Sequence, residues 1–213
     1  MNTRARTVQG VEVPTFLYGT AWKEEATAGL VVRALAAGFR GIDTANHRRH
    51  YHEAGVGEAL AAAFGSGRLT RDDLFLQTKY TYVEGQDHRL PYDPSADYPA
   101  QVRQSFASSI EHLGVDRLDS YLIHGPRSRR GLSEPDRRVW RTFEALHDEG
   151  RVRLIGISNV TADQLAALCE FARVRPAFVQ NRCFARLGWD REVREVCRRE
   201  GIVYQAFSLL TAN

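Results

Sequence analysis

The chain has 213 residues, 43% of them hydrophobic and 26% charged, which is the composition of a globular domain and excludes a disordered one. Its 29 Lys and Arg against 26 Asp and Glu leave a net charge of +3, too small an excess to imply a nucleic-acid or membrane partner. Three cysteines (Cys169, Cys183 and Cys197) exclude a disulfide framework, and no apolar run approaches the ~18 residues of a membrane span. The N-terminus lacks the apolar core of a secretory leader, so a cytoplasmic protein with reduced thiols is expected.

From residue 15 onward, short apolar runs alternate with stretches of helical period. A strand is predicted over 15–19 and a helix over 24–37, with Leu30, Ala34 and Ala37 on one face and Gly38 as its stop. A strand over 41–44, a helix over 53–64 and a strand over 74–78 follow. The helix over 97–113 places Val102, Phe106, Ser109, Ile110 and Leu113 on one stripe. Then come a strand over 120–124, a helix over 137–149 and a strand over 152–157. Thr161 is the expected N-cap of a helix over 161–172. A strand over 177–180, a helix over 190–200 and a strand over 202–207 complete the series.

Alternation of this kind demands a parallel sheet, because each crossover needs a connection of helix length. The glycine-rich turn of an open nucleotide-binding sheet is absent after the first strand, where the sequence reads Thr20-Ala21-Trp22-Lys23. A (β/α)8 barrel is therefore the expected fold, as a single domain over 1–213. Asp43, Lys79, His124, Ser158, Asn159, Gln180, Phe207 and Ser208 all sit at C-terminal strand ends, which converge on one face of a barrel. The long stretch 80–96 leaves the third strand at that same face.

The side chains suggest a chemistry. A phenol has a pKa of about 10 and is a poor proton donor near neutrality. An ammonium nearby lowers that value and makes a tyrosine a usable acid. Tyr51 follows Asp43 by eight positions and is expected to meet Lys79, Asp43 and His124 as a group that protonates a carbonyl. His47 or His50 could take the same role. Arg48 and Arg49 could face an anionic substrate or simply solvent. The His47, His50 and His52 group and the cysteines are expected to hold no metal.

Ordered motifs then show that the chain resembles the aldo-keto reductase superfamily. They are Leu17-Tyr18-Gly19-Thr20-Ala21-Trp22, Gly38-Phe39-Arg40-Gly41-Ile42-Asp43-Thr44-Ala45, and Glu53-Ala54-Gly55-Val56-Gly57-Glu58-Ala59-Leu60. Further along are Asp73-Leu74-Phe75-Leu76-Gln77-Thr78-Lys79, the 113–126 segment ending in Tyr121-Leu122-Ile123-His124-Gly125-Pro126, and Gly150-Arg151-Val152-Arg153-Leu154-Ile155-Gly156-Ile157-Ser158-Asn159. The resemblance implies NADP(H)-dependent reduction of a small-molecule aldehyde or ketone without metal. It implies Tyr51 as general acid, Lys79 lowering its pKa, Asp43 holding Lys79, and His124 orienting the carbonyl. Gly19, Thr20, Asp43, Ser158, Asn159, Gln180, Phe207 and Ser208 are implied at the cofactor, with Phe207 stacking on the nicotinamide. Trp22, Tyr80, His124 and the 80–94 loop are implied around the substrate. The spacing from Asp43 to Tyr51 is longer than the family's usual one. The sequence also ends at Asn213, where a barrel of about 250 residues would continue, so seven of eight strands are expected. A catalytically inactive barrel fragment that binds or regulates is the alternative expectation.

Overall fold

The computed structural model describes residues 5–209. An antiparallel hairpin comes first: β1 (Ala5–Val8) and β2 (Val11–Pro14), joined through Gln9 and Gly10. Both turn residues have positive φ, 46° and 79°, the geometry of a two-residue turn that matches strand twist. This hairpin was absent from the elements predicted by periodicity.

The remaining strands form one parallel sheet in chain order. They are β3 (Tyr18–Gly19), β4 (Gly41–Asp43), β5 (Phe75–Tyr80), β6 (Leu118–Ile123), β7 (Val152–Ser158), β8 (Phe178–Arg182) and β9 (Val203–Phe207). The helices between them are α1 (Thr27–Ala36), α2 (Glu53–Gly65), α3 (Tyr98–Leu113), α4 (Glu134–Asp148), α5 (Ala162–Phe171) and α6 (Arg191–Glu200). Sequential parallel pairing throughout is the (β/α)8-barrel arrangement, with seven of its strands among the described residues. The sheet curls: side chains of Gln77 on β5 and Gln205 on β9, four strands apart in the order, meet at 2.8 Å.

Capping follows from sequence. Asp97, Ser133 and Thr161 each accept a hydrogen bond from a first-turn amide, and Ser133 and Thr161 complete reciprocal capping boxes. Gly114 ends α3 in the left-handed conformation, φ 64°. Gly57 explains its motif by close approach: a Cβ there would lie 1.9 Å from the carbonyl oxygen of His112, so α2 and α3 cross only because it is glycine. The predicted face of the first helix is corrected. A short 3-10 turn takes Glu24–Ala26, and Thr27, Val31, Ala34 and Leu35 are the buried residues, while Ala37 is exposed. These four recur at the i, i+4, i+7, i+8 spacing of one helix face, and Ala37 falls at the helix end.

Alternation along the strands divides the core. Leu76, Tyr80, Tyr121, Ile123, Ile155, Ile157 and Val179 face the helices. Phe75, Leu122, Leu154 and Phe178 face inward and pack on Val8, Val11 and Val13 of the hairpin, which floors the barrel.

Candidate active site

The interior face of β5 reads Phe75, Gln77, Lys79 from floor to mouth. Lys79 is 1% exposed, and its Nζ donates to Asp43 Oδ1 at 2.7 Å and to the Thr44 carbonyl at 2.8 Å. A buried ammonium requires such a partner, because desolvating an unpaired charge costs several kcal/mol, order ~5 or more. Asp43 Oδ1 also accepts from Gln77 Nε2 at 2.7 Å and from Gln180 Nε2 at 3.2 Å.

The loop between β4 and α2 brings in the tyrosine. Its turn is set by amides of His50 and Tyr51, which both donate to the His47 carbonyl at 3.0 Å. The Trp22 amide donates to the His50 carbonyl at 2.8 Å and ties this loop to the one after β3. Lys79 Nζ lies 5.4 Å from the centre of the Tyr51 ring, and the His124 ring centre lies 5.8 Å from it. The predicted group Asp43, Tyr51, Lys79 and His124 is thus brought together.

Electrostatics here sharpen one expectation. Burial raises the Tyr51 pKa above its ordinary value and outweighs the opposing field of Lys79. Lys79 therefore does not lower the resting pKa below that of a free phenol; it offsets part of the desolvation. Burial, with Lys79 and two neighbouring histidines, holds His124 well below the ordinary histidine range, so its ring is neutral. His124 Nδ1 is 2.7 Å from the Thr81 hydroxyl. Burial, with His50, also lowers His47 to about 4. Its Nε2 donates to the Gly85 carbonyl at 2.6 Å, and its ring centre lies 4.5 Å from His50 and 5.3 Å from His124.

These groups open onto a mouth cavity of about 480 Å³, lined among others by Gly19, Trp22, Asp43, Tyr51, His124 and Ser158. Asn159, Gln180, Phe207 and Ser208 line it as well. Trp22, Asn159 and Ser208 have φ of 60°, 52° and 59°, a conformation that costs a non-glycine residue about 1–3 kcal/mol. Asn159 Nδ2 donates to the His124 carbonyl at 2.7 Å, which holds β7 to β6 at the rim.

Two predicted residues lie elsewhere. Thr20 is fully buried, its hydroxyl donating to the Asp43 carbonyl at 3.1 Å, so it ties β3 to β4. Tyr80 is corrected as a substrate contact: β5 continues through it, alternation turns it outward, and its hydroxyl donates to Gln101 on α3 at 3.2 Å. The 80–94 loop lies off the mouth cavity. Tyr82 and Tyr92 anchor it through hydrogen bonds to Asp136 and the Thr81 carbonyl. Its Arg89, Leu90 and Pro91 line a second cavity of about 280 Å³, which His47, Arg48 and Tyr51 line as well. Of the predicted pocket wall, Trp22 remains at the mouth, its ring centre 4.0 Å from His50. Gln77 and Gln205 are interior polar groups that the sequence reading missed; the alternation of Phe75, Gln77 and Lys79 was the available signal.

The site suits a nicotinamide. The amides of Asn159 and Gln180 and the hydroxyl of Ser158 are hydrogen-bonding groups for a carboxamide, gathered with the Phe207 ring on one cavity. Residues 15–212 match the model of the Aldo/keto reductase family, and the chain belongs to that family of oxidoreductases. It is 32% identical to an uncharacterized oxidoreductase, YtbE, of Bacillus subtilis, over 99% of this chain and 69% of that protein. It is 33% identical to the glyoxal reductase of the same organism, over 94% of this chain and 65% of the relative. The fold superposes on an aldo/keto reductase from Brucella melitensis with a TM-score of 0.79 and 30% identity, covering 98% of this chain and 74% of that one. An aldo-keto reductase complexed with NADPH gives a TM-score of 0.81 at 26% identity, covering 97% of this chain and 63% of that one. NADP(H) is thus the cofactor of solved relatives, and the chain spans about two thirds of the length of these proteins.

Proposed function

We propose that this protein reduces an aldehyde or ketone to an alcohol with NADPH, and that Tyr51 donates the proton. The observation that carries this reading is the single buried ammonium of Lys79, clamped 2.7 Å from Asp43 and set 5.4 Å from the Tyr51 ring. NADPH, when bound, supplies the hydride. Ser158, Asn159 and Gln180 are the groups for its carboxamide, and Phe207 is the ring for its nicotinamide.

The chain's own residues handle the proton. The raised pKa of Tyr51 keeps the phenol protonated at neutral pH, so it is loaded as a donor. As negative charge grows on the carbonyl oxygen, the phenolic O–H bond breaks, the proton moves to that oxygen, and a phenolate remains. Lys79 stabilises the phenolate from within the low-dielectric interior. Water from the open mouth restores the phenol. His124 is neutral; in the tautomer whose Nδ1 accepts from Thr81, its proton sits on Nε2 and can donate to the carbonyl. His47 is a poorer candidate for the acid, because its protonated nitrogen is committed to the Gly85 carbonyl.

NADPH titration followed by nicotinamide fluorescence, then an assay over a panel of aldehydes, tests the proposal. Binding and turnover in the wild type, with turnover lost in Tyr51→Phe, are expected. No binding at millimolar NADPH would overturn the enzymatic reading. Unchanged turnover in Tyr51→Phe would overturn the assignment of the acid.

A further inference from the structure

Beneath the site lies an amide pair, Gln77 and Gln205, to which the proposed chemistry gives no role. Gln77 Nε2 donates to Gln205 Oε1 at 2.8 Å, and Gln205 Nε2 donates back to Gln77 Oε1 at 3.1 Å. This reciprocal amide pair spans the interior from β5 to β9. The other proton of Gln77 goes to Asp43. Gln180 Nε2 donates to both Asp43 Oδ1 and Gln205 Oε1, at 3.2 and 3.1 Å. Three amides and one carboxylate thus form a closed network, and interior amides are costly unless so paired.

Position gives the network its consequence. Gln77 is two residues from Lys79 on β5, and Gln205 is two residues from Phe207 on β9, so each pair shares a face of its strand. Gln180 pairs directly with Gln205 in the sheet register, and Arg182 with Phe207. Strands β3 and β9 are the two edges of the described sheet, so β9 has one strand neighbour there, β8. The Gln77–Gln205 pair is its tie to the opposite wall.

We infer that Gln77 and Gln205 act as one cross-barrel clasp, a pair of positioning residues that sets the cofactor-side groups Gln180 and Phe207 against the proton-donating side, Asp43 and Lys79. The clasp rests on the reading of the site as a nicotinamide site. Its two members touch the reacting groups only through others. With both amide protons of Gln180 committed to Asp43 and Gln205, the Gln180 oxygen is the atom available to accept from a carboxamide N–H.

The test uses Gln77→Leu, Gln205→Leu and the double variant in the full chain. NADPH affinity and the limiting nicotinamide fluorescence are measured alongside urea unfolding and steady-state kinetics. Each single change is expected to weaken NADPH binding about tenfold and to lower the fluorescence limit, a loss the size of one or two buried hydrogen bonds. The double variant is expected to lose clearly less than the product of the two singles, because each single change already breaks the reciprocal pair. Three results would overturn the clasp. They are singles that bind NADPH like wild type, a double whose loss is the product of the two, or lower stability with unaltered affinity and fluorescence limit. A wild type that binds no NADPH overturns the functional reading and with it the positioning role of the clasp; non-additive unfolding losses would then show a structural pair only.

Discussion

The lower and upper halves of the barrel interior are made by the same strands and obey opposite rules. At the floor, Phe75, Leu122, Leu154 and Phe178 close on the valines of the hairpin and exclude water. Two to four residues further along the same strands, Gln77, Lys79 and Gln180 converge by directed hydrogen bonds on Asp43, and His124 meets Thr81. Burial is similar at both levels, since Lys79 is 1% exposed and Phe178 is 0% exposed. What differs is how the cost of burial is met: by contact area below, and by paired charges and amides above. The floor is therefore expected to tolerate volume-conserving changes, whereas the loss of one partner at the mouth leaves another buried polar group unpaired.

The largest expected effect tests the upper rule. Lys79→Met leaves the Asp43 carboxylate buried without its ammonium, and is expected to cost about 3–5 kcal/mol of stability and to abolish reduction. Urea unfolding at neutral pH reads the first and an aldehyde assay the second. A stable, active Lys79→Met protein would break the contrast between the halves. Phe178→Ala tests the lower rule. It is expected to lose about 3–5 kcal/mol through the cavity it opens. NADPH affinity of the folded fraction should stay close to wild type, because the floor does not touch the mouth; a loss of affinity beyond that of Lys79→Met would show that the halves are one unit.

Tyr51→Phe separates chemistry from stability. It is expected to reduce turnover by about 10²–10⁴-fold, the usual worth of a positioned proton donor. Its unfolding midpoint should barely move, as the ring remains. The histidines of the mouth predict a pH response. His47 has a folded pKa of about 4, below its unfolded value of about 6.5, so the unfolded chain binds the proton more readily. Stability is therefore fully present above pH ~6.5 and falls as pH drops towards ~4, with a slope near 1.4 kcal/mol per pH unit. His124, also held below its ordinary range, adds to the same trend, so His47→Gln should reduce the slope without abolishing it; an unchanged slope would place the proton uptake elsewhere. The smallest effect belongs to the hairpin: Val13→Ala is expected to cost about 1–2 kcal/mol and leave kinetics unchanged.

How much of the site could be read in advance depended on the distance between partners in the sheet. Asp43 and Lys79 end neighbouring strands, so convergence at a barrel mouth was enough to bring them together. Tyr80 was misread because the third predicted strand stopped at residue 78; with β5 running two residues further, alternation turns Tyr80 to the helices. The hairpin carried a readable pattern, Val8, Val11 and Val13 around Gln9-Gly10, yet its role as a floor depends on Phe178 far along the chain.

From the sequence alone follow the strand–helix alternation, the parallel sheet, the family, and the gathering of Asp43, Tyr51, Lys79 and His124 at one place. These depend on local periodicity, on motifs in order and on the end of each strand, all of which are one-dimensional. Only the tertiary structure decided that burial raises the Tyr51 pKa despite Lys79. It alone showed the long loop turning to the second cavity and Gln77 meeting Gln205 across four strands. Those outcomes depend on how far the sheet curls and how much water it expels, and neither quantity is written in the spacing of residues along a chain.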